Sequence, residues 1–174
     1  MKHDIVLSAP DFLRDFLTYS ETIKGKSSKS IEEYYHDLLT FFRYIKFSKG
    51  LTDNDVTFEE ITINDISIDC LRSITLTDLF SFLVYCKNER GNNAATRARK
   101  ASTLRIFFRY LTSQVHLLDI NPAQELDTPK IKKSLPVHLN LQECYKLLGS
   151  VDGDYKDRDY CILTIFLNCG LRLS

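Results

Sequence analysis

The chain has 174 residues, 44% of them hydrophobic and 26% charged, with only six glycines and four prolines. A chain of this length buries roughly 70% of its extended surface, so it needs no disulfide or metal staple, and its composition excludes disordered, collagen-like and low-complexity classes while suiting a helical protein. Lys plus Arg and Asp plus Glu both number 23, so the net charge is zero, which argues against a nucleic-acid binder that works by bulk charge alone.

The first helix is expected to begin at Ala9-Pro10-Asp11, with Asp11 complementing the dipole. Phe12, Leu13, Phe16, Leu17 and Tyr19 form its apolar side, and Gly25 with the polar residues 26–28 ends it. A second helix follows, capped either by Ser27 or by a Ser30–Glu33 capping box. Ile31, Tyr34, Leu38, Phe41 or Phe42, and Ile45 recur at steps of three and four, the pattern of one buried stripe. Residues 51–74 are less periodic and read as a loop that docks a few apolar anchors, with a short strand as the alternative. Thr75 or Thr77 caps a third helix near 75–90, whose inner face carries Leu79, Phe82, Leu83 and Cys86. Gly91-Asn92-Asn93 makes the next turn, and Asn93 caps a fourth helix with the stripe Ala98, Ala101, Leu104, Phe108, Leu111.

Pro122, Pro129 and Pro136 then fall close together, with Lys130, Lys132 and Lys133 among them. That span reads as an extended basic linker. The expected organisation is a helical domain at 1–115, a linker at 116–136 and a second unit at 137–174. In the second unit Asn140 caps a helix from Leu141 to Leu148, and another helix runs from about Asp157 to Asn168. The latter is apolar nearly all round, so it calls for other elements around it, and the unit reads as the beginning of a larger domain.

No uncharged run exceeds the twelve residues from Tyr160 to Leu171, too short for a membrane span, and the N-terminus lacks the pattern of a signal peptide. The five cysteines and four histidines show no metal-ligand spacing. The cysteines are expected to be reduced, mostly buried thiols in a cytoplasmic protein, with no metal and no cofactor.

Charge is segregated along the chain. Residues 51–69 hold Asp53, Asp55, Glu59, Glu60, Asp65 and Asp69 and no base, whereas residues 91–133 hold eight bases and three acids. The fourth helix carries Arg97, Arg99, Lys100, Arg105 and Arg109, with Lys100 and Arg105 at opposite edges of its apolar stripe. Its small residues, Ser102 among them, allow close approach to a partner. Lys24, Lys26 and Lys29, with Ser27, Ser28 and Ser30, suit phosphate contact at the start of the second helix. Each cluster reads either as a solvated polar face or as a face for an anionic partner. Arg172, two residues after Gly170, is either a helix-terminal arginine or a bidentate phosphate ligand.

Three stretches together resemble the tyrosine recombinases, the phage-integrase and Xer-like group. The first is Ser30-Ile31-Glu32-Glu33-Tyr34-Tyr35-His36-Asp37-Leu38 followed by Phe41, Phe42 and Tyr44. The second runs from Thr96-Arg97 through Phe107-Phe108-Arg109-Tyr110-Leu111 into Asn121-Pro122-Ala123, Pro129-Lys130, Leu135-Pro136 and Leu139-Asn140-Leu141. The third is Arg158-Asp159, the apolar helix and Gly170-Leu171-Arg172-Leu173-Ser174. The resemblance implies an all-α protein: a SAM-like four-helix core-binding bundle, a linker, and the first two helices of an incomplete catalytic domain. It implies double-stranded DNA as partner, self-association on DNA in the full-length protein, and strand exchange through a 3′-phosphotyrosine without metal or small-molecule cofactor. The second and fourth helices would face the DNA through Lys29, Ser30, Arg97, Arg99, Lys100, Ser102 and Arg105, with Lys130, Lys132 and Lys133 along the linker. Arg172 matches the family's first catalytic arginine; its other catalytic boxes have no match here, so this chain would bind DNA without cutting it. The alternative is a helical protein–protein module without direct DNA binding, which the neutral charge and the acidic segment favour.

Overall fold

The computed structural model describes residues 9–52, 56–130 and 138–171. Every regular element among them is helical, and the chain divides into two compact units, residues 1–131 and 132–174.

The first unit is a bundle built around one long helix. Helix α1 (Asp11–Thr22) follows Pro10, whose carbonyl accepts from Leu13 N and Arg14 N. Gly25 takes φ +61°, a left-handed conformation open to glycine without strain, and reverses the chain into the next helix. Helix α2 (Ser28–Ser48) is capped by Ser27, which accepts from Ser30 N at 3.4 Å; the Ser30–Glu33 alternative is not used. At 21 residues, about 31 Å long, α2 is the central element and packs on α1 and on both later long helices.

Residues 56–74 form a loop with a 3₁₀ turn (Phe58–Glu60) and a five-residue helix α3 (Ile68–Arg72), and no strand. Ile61, Ile63, Ile66, Leu71 and Ile74 are its buried anchors. The acids of this loop meet the basic C-terminal half of α2. Arg43 Nη1 donates to Glu59 at 2.8 Å and its Nε to the Ile61 carbonyl at 3.0 Å, while Lys46 Nζ donates to both oxygens of Asp65 at 2.8 Å. The Lys46 contact holds the Asp65 carboxyl below its usual range. Asp53 and Asp55 lie outside the described residues.

Helix α4 (Leu76–Asn88) starts with a capping box between Thr75 and Asp78, and α5 (Ala94–Ser113) starts at Asn93, whose side chain accepts from Thr96 N at 2.8 Å. Six phenylalanines are fully enclosed between α1, α2, α4 and α5: Phe16, Phe41, Phe42, Phe82, Phe107 and Phe108. Phe107 is missing from the expected stripe of α5, yet it sits at the centre, edge-on to Phe16, Phe42 and Phe108 at 5.2, 5.7 and 5.3 Å.

The bundle extends past the expected boundary at 115. Leu118, Ala123 and Leu126 are buried in its core, and an Asx turn at Asn121, whose Oδ1 accepts from Ala123 N at 2.9 Å, shapes the path. Apolar anchoring at these positions outweighs the extended character suggested by the prolines, so the segment from 117 to 126 belongs to the first unit rather than to a linker.

In the second unit, α6 (Leu141–Gly149) begins with an Asn140–Glu143 capping box, and α7 (Lys156–Cys169) ends at Gly170 with φ +60°. The two helices pack on each other, but neither buries a residue; Leu141, Ile162 and Ile165 remain exposed. The expectation of mostly buried cysteines is corrected accordingly. All five thiols are free, but only Cys86 is buried; Cys70 and Cys144 are half-buried and Cys161 and Cys169 exposed. Among the described residues no helix is long and apolar enough to cross a membrane.

Phe107→Ala should destabilise the first unit by about 3–5 kcal/mol, read as a shift in urea midpoint, whereas Val84→Ala on the exposed side of α4 should stay within about 0.5 kcal/mol. Burial also pushes the Cys86 thiol up, so a thiol reagent at neutral pH should modify Cys161 and Cys169 in the folded chain and reach Cys86 only on unfolding.

Candidate nucleic-acid interface

The contact between α2 and α5 contains a buried carboxylate. Asp37 lies on the inner face of α2 and is only 2% exposed. A charge so placed requires partners. Its Oδ1 accepts from Lys100 Nζ at 2.9 Å, and its Oδ2 accepts from Arg99 Nη1 at 2.8 Å and from Thr103 Oγ1 at 2.9 Å. Lys100 and Thr103 are buried with it. Arg99 reaches outward as well: its Nη1 pairs with Glu33 Oε2 at 2.6 Å, and both of those side chains remain about half exposed. Residues 99, 100 and 103 share one turn of α5, so a single carboxylate fixes the register of that helix against α2.

Outside this seam lies a cationic face. Arg99, Ser102, Arg105 and Arg109, spaced three, three and four apart, are exposed along one side of α5. The Arg105 and Arg109 guanidiniums make no ion pair or hydrogen bond among the described residues. The turn into α2 lies beside α5. Lys26, Ser27, Lys29, Ser30, Glu33, Tyr34 and Arg99 line a shallow cleft of about 320 Å3. A second depression of about 330 Å3 shares Lys26 and Tyr34 with it and adds Lys24, Ile106 and Arg109. The cations of the α1–α2 turn and those of α5 therefore surround two adjoining depressions.

The structure thus brings Lys29, Ser30 and Arg99 to one cleft and keeps Ser102 and Arg105 on the same exposed side of α5. It corrects two expectations. Lys100, expected at the edge of the stripe as a DNA contact, is 7% exposed and turned inward, because Asp37 needs its ammonium. Arg97, expected as a DNA contact, folds back to donate to the Asn92 carbonyl and is half-buried. Lys130 is exposed without a partner among the described residues; Lys132, Lys133 and Arg172 lie outside those residues. Sequence reasoning missed the roles of Asp37, Glu33 and Thr103, and placed Arg109 in the basic cluster without counting it among the DNA contacts. A carboxylate between Tyr34 and Leu38 on an apolar stripe was the available signal, since a buried acid there demands a cation from another helix. Among the described residues no group of His, Cys, Asp or Glu is placed to hold a metal ion.

Residues 62–115 match the family described as phage integrase, N-terminal SAM-like domain. A tyrosine recombinase XerC from Caldanaerobacter subterraneus subsp. tengcongensis is 45% identical over 168 residues, which cover 97% of this chain and 48% of that protein. Over nearly its whole length the chain is thus similar to tyrosine recombinases. Further tyrosine recombinases are similar over nearly the same span. A tyrosine recombinase XerD from Listeria monocytogenes is 30% identical over 94% of this chain and 50% of its own length, and a XerC from Thermodesulfovibrio yellowstonii is 30% identical over 94% and 47%. The chain spans about half the length of these curated recombinases. No solved structure matches it significantly. The family match begins at 62, so it takes in α5 but not α2, and the seam between them is visible only in the fold.

Asp37→Ala would leave the Lys100 ammonium buried without its partner, and should cost about 3–5 kcal/mol in a denaturant titration. Glu33→Gln removes only a solvent-exposed pair and should cost less than about 1 kcal/mol in the same titration.

Proposed function

We propose that this chain is the DNA-binding portion of a site-specific tyrosine recombinase, and that the cationic face of α5 and the α1–α2 turn lies against double-stranded DNA. The observation that carries this reading is the exposed stripe of α5, whose Arg105 and Arg109 have no partner among the described residues, while the cations on the other side of α2 are neutralised by the protein's own carboxylates. Lys29, Ser30, Arg99, Ser102 and Arg105 are its contacts, joined by Arg109. Lys130, Lys132 and Lys133 would add phosphate contacts farther along the chain. Arg97 would act mainly by closing the turn into α5. Phosphate contacts position a protein on the duplex, while base edges read by side chains in the groove give specificity. The small residues Ala95, Ala98 and Ser102 on this side of α5 permit the close approach that groove entry needs.

In the full-length protein, strand exchange would proceed through a 3′-phosphotyrosine, with protomers associated on DNA in the cytoplasm and no small-molecule cofactor. Arg172 would be the first arginine around the scissile phosphate, where its fork of N–H donors suits bidentate binding. It is the one member of the family's active-site set matched within these 174 residues. The chain by itself is therefore proposed to bind DNA and leave its strands intact.

Fluorescence anisotropy with labelled duplexes tests the reading. Engagement of Lys29, Arg99, Arg105 and Arg109 should make log affinity fall against log salt with a slope of about −3 to −4, and Arg105→Ala should weaken binding and reduce that slope by about one. Arg97→Ala should change the slope little. Salt-independent binding, or none at low salt, would return the chain to a helical protein–protein module.

A further inference from the structure

Glu33 differs from the other carboxylates around α2. Asp37 is buried and holds two helices together, and Glu59 and Asp65 fasten the loop that precedes α3. Glu33 secures nothing buried: its side chain is 49% exposed, and its one ion-pair partner among the described residues, Arg99, is held independently by Asp37. An exposed ion pair contributes little to stability, so the fold does not depend on this one.

The position of Glu33 is nonetheless specific. It lies in the cleft whose other polar side chains are Lys26, Ser27, Lys29, Ser30 and Arg99, all donors suited to an anion. Its Oε2 sits 2.6 Å from Arg99 Nη1. A carboxylate and a phosphate compete for the same guanidinium charge, and Glu33 stands as an ion pair against the nitrogen that donates to Asp37.

Resting on the reading that this face binds DNA, we propose that Glu33 is an intramolecular competitor for the DNA backbone: it pairs with Arg99 in the free protein, and that pairing is given up when Arg99 takes a phosphate. Asp37 retains Arg99 in place during the exchange, so the guanidinium is released toward solvent without being lost from the seam. The displaced carboxylate then faces phosphate of like charge. The penalty is the same for every base sequence. It lowers affinity for any duplex and shortens residence on unrelated DNA without altering the order of preference among sites.

The test uses the full chain and two unrelated duplexes of equal length, followed by anisotropy across a salt series. Four variants are compared with the parent: Glu33→Gln, Glu32→Gln, Arg99→Gln, and the double variant Glu33→Gln with Arg99→Gln. Glu32 is exposed on the same turn and makes no ion pair among the described residues, so its neutralisation reports the effect of charge alone. Glu33→Gln should lower Kd about three-fold or more at low salt on both duplexes, with a salt slope close to the parent's because Arg99 takes a phosphate in both proteins. Glu32→Gln should change Kd much less, and the gain from Glu33→Gln should vanish in the Arg99→Gln background. Equal effects of the two glutamine variants, a gain that survives without Arg99, or weaker binding by Glu33→Gln would each overturn the proposal while leaving the DNA-binding reading intact. A parent chain without salt-dependent binding would overturn both. Circular dichroism melts of each variant establish that the fold is retained.

Discussion

A carboxylate shut between two helices sets the terms for the rest of the first unit. The phenylalanine core supplies non-directional burial and would tolerate some sliding of α5 along α2. Asp37 does not tolerate it. Its two oxygens need Lys100, Arg99 and Thr103 at once, and a displacement by one residue would strand a charge in an apolar interior. Because these donors occupy a single turn of α5, the outward positions of that helix are fixed as well. The cationic stripe points away from the core as a consequence of where its neighbours Lys100 and Thr103 must go.

The neutral net charge is a sum over two different populations. Arg43, Lys46, Lys100 and Arg90 are committed to carboxylates of the chain or, through Lys100, to the seam itself. Among the described residues, Arg105, Arg109 and Lys29 are not. Segregation along the sequence therefore becomes neutralisation on one side of α2 and accumulation on the other. The acidic stretch that by itself favours a protein partner has a local purpose in its described part: Glu59 and Asp65 attach a loop of β-branched anchors to α2. Pairing of this kind lowers the field on that side, while leaving the other side able to attract an anion over a Debye length of about 10 Å at moderate salt.

The second unit follows a different logic. Its helices have good caps and a sharp glycine end, so local signals suffice to form them. Their apolar positions have no counterpart to bury them within the described residues. The relatives this chain matches are about twice its length, and an apolar helix of this type acquires its stability from packing rather than from propensity.

Much of this protein was legible in its residues. Ser27, Thr75, Asn93 and Asn140 are short polar side chains whose capping bonds form within three residues, so helix starts could be read without knowing the fold. The three-and-four spacing of apolar residues determined the helical class, and the ordered motifs pointed to the recombinases. What the sequence could not supply depended on distance along the chain. Whether Lys100 faces water or Asp37, 63 positions away, is decided by the packing of α5 on α2 and not by its place on a helical wheel. The same holds for Leu118, Ala123 and Leu126, which the prolines marked as linker but which are buried in the core of the first unit. Capping and periodicity are local and are written in neighbouring residues; the pairing of buried charges and the docking of a chain segment are non-local, and only the tertiary structure determined them.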